Sequence, residues 1–117
     1  MENVIVEKSK KFAVKIIRLY QNLQEEKKEF VLSKQILKSG TSIGANVKEA
    51  IRAQSKRDFA SKMNISLKEA SETEYWLELL HETDYLPNEK FQELISDCQE
   101  LLKILTSIVK TSFKNAL

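Results

Sequence analysis

The amino-acid sequence predicts an all-α fold, an up-down-up-down antiparallel four-helix bundle that occupies residues 1–117 as a single domain. The chain contains only two glycines and one proline, so few residues interrupt a helix. Apolar residues recur at three- and four-residue steps in four segments, which places them on one side of each helix. A chain of 117 residues can enclose one core, and short connections make successive helices antiparallel.

The first two helices are predicted from Val4 to Gln24 and from Glu29 to Arg52. The polar connection between them, around residues 24–28, carries no glycine or proline to fix its turn. The predicted core residues are Phe12, Ile16, Leu19, Tyr20 and Leu23 in the first helix, and Phe30, Leu32, Ile36, Leu37, Gly40, Ile43, Gly44, Val47, Ala50 and Ile51 in the second.

Two glycines, Gly40 and Gly44, lie four residues apart on the predicted buried side of the second helix. Glycine costs about 1 kcal/mol in a helix interior, so this placement requires a packing reason. A phosphate-binding loop is disfavoured, because no strand precedes the glycines and no Gly-Lys-Ser/Thr segment follows them. The spacing therefore predicts that another helix approaches closely here.

The third helix is predicted to begin after Ser55, which can cap it, with Asp58 in its first turn, and to extend to about Asp84. Its apolar residues fall on two sides, and a helix of this kind is covered twice. In a chain this short, a second subunit is the expected source of the second cover. One stripe contains Met63, Leu67, Ala70 and Leu77, and the candidate oligomer interface contains Ile65, Trp76 and Leu79.

The fourth helix is predicted to follow the break at Leu86-Pro87-Asn88, since proline disfavours helix at the residue before it and Asn88 can cap the helix. Its predicted core face contains Phe91, Leu94, Ile95, Cys98, Leu101, Leu102, Leu105, Ile108, Val109 and Phe113.

Charge is divided unequally along the chain, although the net charge is only +2. Residues 1–57 contain 13 basic and 6 acidic side chains, whereas residues 58–117 contain 6 and 11. Such a division can orient the molecule toward a polyanion, pair one subunit with the next, or reflect ordinary solvated helix faces. The candidate nucleic-acid-binding residues, which recur at helical spacing, are Lys8, Lys11, Lys15 and Arg18 in the first helix and Lys34, Lys38, Lys48 and Arg52 in the second.

Catalytic and metal sites are not favoured by the sequence. Glu78 and His81 have the Glu-x-x-His spacing of di-iron bundles, but such a site needs a second histidine and the chain has one. Cys98 falls in a core register, where cysteine is usually a small apolar residue. No catalytic residue, cofactor or metal is therefore predicted. Glu49, Glu69 and Glu72 could converge as paired carboxylates for acid and base chemistry. The favoured interpretation is that they form polar contacts, together with Ser42, Asn46 and Ser66, that hold the register of the second and third helices.

The apolar runs are a few residues long, far from the ~20 needed to cross a bilayer, so a cytoplasmic protein without a membrane partner is expected. The single cysteine cannot form an internal disulfide, which agrees with a reducing compartment.

Three segments of the chain, residues 37–50, 53–59 and 65–77, resemble the 23S rRNA intervening-sequence protein family of four-helix-bundle proteins. The resemblance rests on Ser-Ile-Gly-Ala-Asn-Val-Lys-Glu at residues 42–49, on Ser-Lys-Arg-Asp-Phe at 55–59, and on Ser-Leu-Lys-Glu at 66–69. The chain departs from the commoner Ala-Glu-Gly ending by having Lys48-Glu49-Ala50, which predicts a slightly longer second helix. The family positions expected to be structural are Ser42, Ile43, Asn46, Glu49, Ser66 and Glu69.

The resemblance implies a small cytoplasmic bacterial protein that assembles as a ring of five subunits and has no enzymatic activity. Some family members are encoded inside insertions in ribosomal RNA genes. A related bundle, the accessory protein of diversity-generating retroelements, uses a basic ring surface to engage nucleic acid and a reverse transcriptase. The implied partners are thus further copies of the chain, RNA or DNA, and a reverse transcriptase or ribosomal component.

The leading hypothesis is a non-catalytic, ring-forming bundle whose basic first half binds RNA or DNA phosphates. No aromatic residues interleave with the lysines to stack on bases, so binding is expected to depend on shape and charge. The alternative is an oligomeric assembly or adaptor module in which the oppositely charged halves meet between subunits and no nucleic acid binds.

Overall fold

The computed structural model describes residues 2–116 and contains four helices: α1 (Glu2–Glu25), α2 (Leu32–Ile51), α3 (Lys56–Glu82) and α4 (Asn88–Ala116). Each helix packs against the next in the chain, and α4 returns to α1; within residues 2–116 the diagonal pairs make no close approach. The molecule extends over 47 × 20 × 20 Å. The prediction of an up-down-up-down antiparallel four-helix bundle is confirmed.

The buried residues form one cluster along the bundle axis, and most of the predicted core positions belong to it. Three predicted core residues, Phe30, Ile51 and Phe113, are exposed instead. Phe30 precedes the first turn of α2, Ile51 is the last residue of α2, and Phe113 lies in the last turn of α4. At these helix ends the neighbouring helices no longer cover the side chain. The apolar spacing continues to the end of each helix, so it predicted burial for residues that lie beyond the covered part of the bundle.

The α1–α2 contact is built on the two glycines, Gly40 and Gly44. A β-carbon placed on Gly40 would lie 2.8 Å from Cγ2 and 2.9 Å from Cγ1 of Ile16, which is a buried residue of α1. A β-carbon on Gly44 would lie 3.3 Å from the hydroxyl oxygen of Ser9, also on α1. Glycine at these positions lets the two helix backbones approach, and the packing offsets the poor helix propensity of glycine.

The α2–α3 contact contains buried hydroxyl groups. Ser66 of α3 donates a hydrogen bond to the backbone carbonyl of Ile43 across the contact, at 2.8 Å. The hydroxyls of Thr73 and Ser39 lie 2.8 Å apart, and Thr73 also lies 2.7 Å from the Glu69 carbonyl oxygen. Each hydroxyl carries one proton, so both are satisfied when Thr73 donates to Glu69 and Ser39 donates to Thr73. These bonds fix the register of α2 against α3, because a slip would leave buried polar groups unpaired.

The helix ends explain where the predicted boundaries differ. Helix α2 begins at Leu32 rather than Glu29, because the Glu29 carboxylate caps it from outside: it accepts the backbone N–H groups of Leu32 at 2.9 Å and Ser33 at 2.7 Å. Ser55 caps α3 as predicted, accepting the Asp58 N–H at 3.0 Å. The turns after α1 and α3 use Lys28 and Asp84 at positive φ, 54° and 67°, where glycine is more usual.

Replacing Gly40 with alanine is expected to destabilise the protein by about 1–3 kcal/mol, because the new methyl group overlaps Ile16 in a filled core. This cost exceeds the gain of about 1 kcal/mol in helix propensity. Gly44→Ala is the matched control, since it brings the same gain but meets Ser9 at a longer distance. Urea unfolding of both variants provides the measurement. A Gly40→Ala protein as stable as Gly44→Ala would show that the α1–α2 approach is looser than described.

The Glu29 cap predicts a pH dependence of stability. Burial raises the Glu29 pKa, but hydrogen bonds from the backbone N–H groups of Leu32, Ser33 and Val31 together outweigh it, so the pKa lies below its ordinary value. The carboxylate therefore stabilises the fold fully above the unfolded-state pKa, and this contribution is lost as the pH falls through the folded-state pKa.

Glu29→Gln is expected to lower the unfolding free energy by about 0.5–2 kcal/mol at neutral pH, the usual cost of a lost cap. The difference from the natural protein should shrink as the pH falls below the ordinary glutamate pKa of about 4.3 and then through the lower folded-state pKa of Glu29, where the wild-type carboxyl itself becomes protonated. Urea unfolding across this pH range measures both effects. Glu26→Gln, an exposed acid in the same connection, is the control; a pH-independent difference for Glu29→Gln would contradict the cap.

Candidate nucleic-acid interface

The outer face of α2 carries basic side chains because its other faces are occupied. One side packs against α1 through Gly40 and Gly44, and another packs against α3 through the buried hydroxyls. Residues opposite these contacts point to solvent, as expected for an amphipathic helix. We define the α2 basic strip as the exposed residues Lys34, Lys38 and Lys48 of α2 together with Arg52, which caps the C-terminal end of the helix.

The α2 basic strip runs from Lys34 to Arg52, a distance of 18 residue steps or about 27 Å along the helix axis at 1.5 Å per residue. Its middle carries Thr41 and Ala45, whose short side chains leave open space above the helix between the two pairs of cations. Among side chains 4–116, none of the four strip residues forms a salt bridge. The exposed acid beside them, Glu49, is bound to Lys62 of α3 at 3.1 Å. Lys38 also acts on the nearby Glu69 carboxyl, but the two form no salt bridge. Without a direct partner among these side chains, the strip keeps its positive charge available to an external anion.

A shallow hollow of about 390 Å³ adjoins the C-terminal end of the strip, between the end of α2 and the first turns of α3. Three cations and two carboxylates surround it, so its charge is nearly balanced. The lining residues are Lys48, Glu49, Arg52, Gln54, Asp58 and Lys62.

The four basic candidates of α1 divide into two pairs. Lys8 binds Glu100 of α4 at 3.1 Å, and Lys15 binds Glu93 at 3.0 Å and Asp97 at 2.7 Å. Hydrogen bonds to Asp97 and then to Glu93 raise the Lys15 pKa above its ordinary value, and partial burial opposes them. These ion pairs lie across the α1–α4 contact, where neighbouring helices approach each other least. Part of the charge division along the sequence is therefore balanced within a single copy of the chain.

Lys11 and Arg18, the other pair, are exposed on the outer side of α1. Arg18 donates a hydrogen bond to the Gln21 side chain of the same helix at 3.4 Å. A helical spacing cannot distinguish these two from Lys8 and Lys15, because the acids that bind Lys8 and Lys15 come from α4, more than 75 residues away in sequence. The role of all four α1 residues in nucleic-acid binding stays a prediction.

The residues proposed for an oligomer interface lie together on α3. Ile65 is exposed, and Trp76 and Leu79 are half-buried. The Trp76 indole N–H donates to the Glu72 carboxylate at 3.0 Å, so its edge is held at the surface. Tyr75, which the sequence reasoning missed, is exposed beside them, with its ring centroid 5.3 Å from that of Trp76. Tyr75 directly precedes Trp76 in a helix that has apolar residues on two sides, and this position could have indicated that it belongs to the same surface.

The polar motif positions are mostly satisfied locally. Ser42 donates to the Lys38 carbonyl at 2.6 Å, and the Asn46 amide donates to the Ser42 carbonyl at 2.8 Å, both within α2. Of the motif hydroxyls and amides, Ser66 is the one whose hydrogen bond crosses between helices. Burial, and then the neighbouring charge of Glu72, raise the Glu69 pKa, while Lys38 opposes them.

The residues considered for chemistry lie in structural environments. The His81 ring stacks on Phe91 with centroids 4.0 Å apart. Cys98 is buried with its thiol 3.3 Å from the Ala70 carbonyl oxygen, and burial raises its pKa to about 12, so it is a neutral thiol near pH 7. Within the described residues, no group of three or more His, Cys, Asp or Glu side chains is placed to hold a metal ion. In the same part of the chain, every helix is too short or too polar to span a bilayer.

Comparison with known proteins agrees with the resemblance seen in the motifs. The family model described as 23S rRNA-intervening sequence protein matches residues 1–107. A solved structure of a protein with unknown function from the S23 ribosomal protein family of Bacteroides thetaiotaomicron is 57% identical, with a TM-score of 0.91; the match covers 93% of this chain and 97% of that one. No curated protein matches the chain. Because the family model covers most of its length, the chain belongs to the 23S rRNA-intervening sequence protein family.

Proposed function

We propose that this protein is a non-catalytic, ring-forming bundle that binds RNA through the α2 basic strip. The observation that carries the proposal is the set of four exposed cations on one outer helix face, none of which is paired among side chains 4–116. The family name refers to sequences that interrupt 23S ribosomal RNA, which favours RNA over DNA as the polyanion.

The chemistry of the strip fits a phosphate backbone. Lysine and arginine neutralise phosphates and release condensed counterions, so affinity falls steeply with salt. Base stacking needs exposed aromatic rings among the cations. The surface between Lys38 and Lys48 carries Thr41 and Ala45 instead, and the exposed Phe30 lies outside the strip, before the first turn of α2. The proposed binding therefore depends on charge and shape with little selection of sequence.

Ring assembly would strengthen this weak interaction. Cyclic symmetry repeats the strip once in each subunit, and several linked strips on one RNA raise the overall affinity without any new contact. The partly exposed apolar residues of α3, including Ile65 and Trp76, supply surface that a neighbouring copy can cover. The family resemblance, which implies a ring of five subunits, supports the same assembly.

The second proposal is an assembly or adaptor module that binds no nucleic acid. The ion pairs from Lys8 and Lys15 to acids of α4 favour it, since they show that the basic and acidic halves of this chain attract each other. In that case the α2 basic strip would face acids of another subunit.

Filter-binding titrations with single-stranded RNA at about 50 mM and about 200 mM salt are expected to show tight binding only at the lower concentration. Four neutralised phosphates correspond to a slope of about −3 in log K against log salt, at about −0.7 for each phosphate. Lys34→Glu/Lys38→Glu should weaken binding at least tenfold and reduce that slope by half or more. Gel filtration of the same variant should show an unchanged assembly.

Lys103→Glu/Lys110→Glu is the matched control, because both lysines are exposed on α4 and the change in net charge is identical. Equal losses of RNA binding in the two variants would indicate attraction by net charge alone and would overturn the assignment to α2. Dissociation of the assembly in Lys34→Glu/Lys38→Glu would support the adaptor module. Absence of binding by the natural protein at low salt would end the RNA proposal.

A further inference from the structure

Exposed large apolar side chains cluster on the outer faces of two helices, α1 and α3. On α1, Val14 and Ile17 are 48% and 39% exposed. On α3, Ile65 and Tyr75 are 40% and 53% exposed, next to the half-buried Trp76 and Leu79. These two helices are diagonal in the bundle, so their outer faces point in different directions.

We propose that the outer face of α1 in one copy of the chain docks on the outer face of α3 in the next copy. The α1 face consists of Val14 and Ile17 with Lys11 and Arg18 beside them, and the α3 face consists of Ile65, Tyr75, Trp76 and Leu79 with Glu69 and Glu72. The inference rests on the ring assembly proposed above and names the two surfaces that make it.

The apolar part of the α1 face is shorter than the α3 face, so part of the α3 face can cover it. Val14 and Ile17 lie about 5 Å apart along α1, and Ile65 to Leu79 covers about 21 Å of α3, at 1.5 Å per residue. The aromatic rings of Tyr75 and Trp76 provide the large, rigid contact surface that typically dominates binding energy in interfaces.

The two faces match in charge. Lys11 and Arg18 flank Val14 and Ile17 on α1, and neither forms a salt bridge among side chains 4–116. On α3, Glu69 and Glu72 lie between the apolar residues and outnumber Lys68, the exposed cation of that stretch. The pKa of Glu69 is raised by burial and then by Glu72. Cations of a neighbouring copy would relieve this repulsion between two carboxylates, whereas an α3-to-α3 contact would bring like charges together.

The remaining helix faces are poorer partners. The outer face of α2 carries the basic strip around Thr41 and Ala45, and that of α4 is polar, with Phe113 its exposed large apolar residue. A contact between unlike faces is head-to-tail, so it closes into a ring when the rotation permits. Since α2 lies between α1 and α3 in the bundle, such a ring would present every α2 basic strip on an equivalent surface.

Complementation between two disabled variants tests the contact. Val14→Asp/Ile17→Asp removes the α1 face and Ile65→Asp/Tyr75→Asp removes the α3 face, all at exposed positions. Each variant alone should be a single copy in size-exclusion chromatography with light scattering. An equimolar mixture should form a 1:1 dimer, because one intact α1 face and one intact α3 face remain. Phe113→Asp, equally exposed but outside both faces, should assemble as the natural protein does.

Circular dichroism of each variant verifies folding, and the milder Ile17→Ser and Ile65→Ser proteins should show weakened assembly if an aspartate variant unfolds. A Val14→Asp/Ile17→Asp protein that assembles normally, or a mixture that stays monomeric, would overturn the α1-to-α3 contact while leaving ring assembly in place. A natural protein that is itself a single copy would overturn both. RNA binding of the same samples is measured separately, so a loss of RNA binding can be distinguished from a loss of assembly.

Discussion

The packing of α2 on two sides is the constraint on which the rest of the structure depends. Glycine at position 40 admits the Ile16 side chain of α1 to within contact of the helix backbone, and a hydrogen bond from Ser66 holds α3 in register on the other side. Rotation of α2 would place a β-carbon where Ile16 lies or leave a buried hydroxyl without its acceptor. The outward direction of Lys34, Lys38 and their neighbours is therefore determined by contacts that involve no charge.

Charge then acts at two separate places in the bundle. Across the α1–α4 contact, Lys8 and Lys15 are bound to acids, and these partly exposed pairs contribute little to stability because solvent screens them. On α2 the cations have no such partners among the described side chains, so their field extends into solvent. The difference between the two sets lies in what the facing helix supplies, since α4 presents carboxylates to α1, whereas α2 presents its strip to solvent.

Much of the fold could be predicted because it depends on local patterns. Apolar spacing gave the four helices, and the Gly40–Gly44 spacing indicated the close helix contact. The buried pair Ser39 and Thr73 was missed, since a small hydroxyl residue carries no apolar signal and its partner lies 34 residues away. The pairing of Lys15 was missed for the same reason, because its acids are on α4. Whether a lysine forms an ion pair depends on which residues of the neighbouring helix lie near it. The spacing of residues within one helix does not contain that information.

The most direct test of the central claim is lysine footprinting of the natural protein by acetylation, with and without single-stranded RNA at low salt, read by mass spectrometry. Acetylation requires an accessible amine, so a bound phosphate protects the lysine that contacts it. Lys34, Lys38 and Lys48 are expected to become protected, while Lys103 and Lys110 on the exposed side of α4 keep their reactivity. Protection of the α4 lysines with the α2 lysines unchanged would contradict the account.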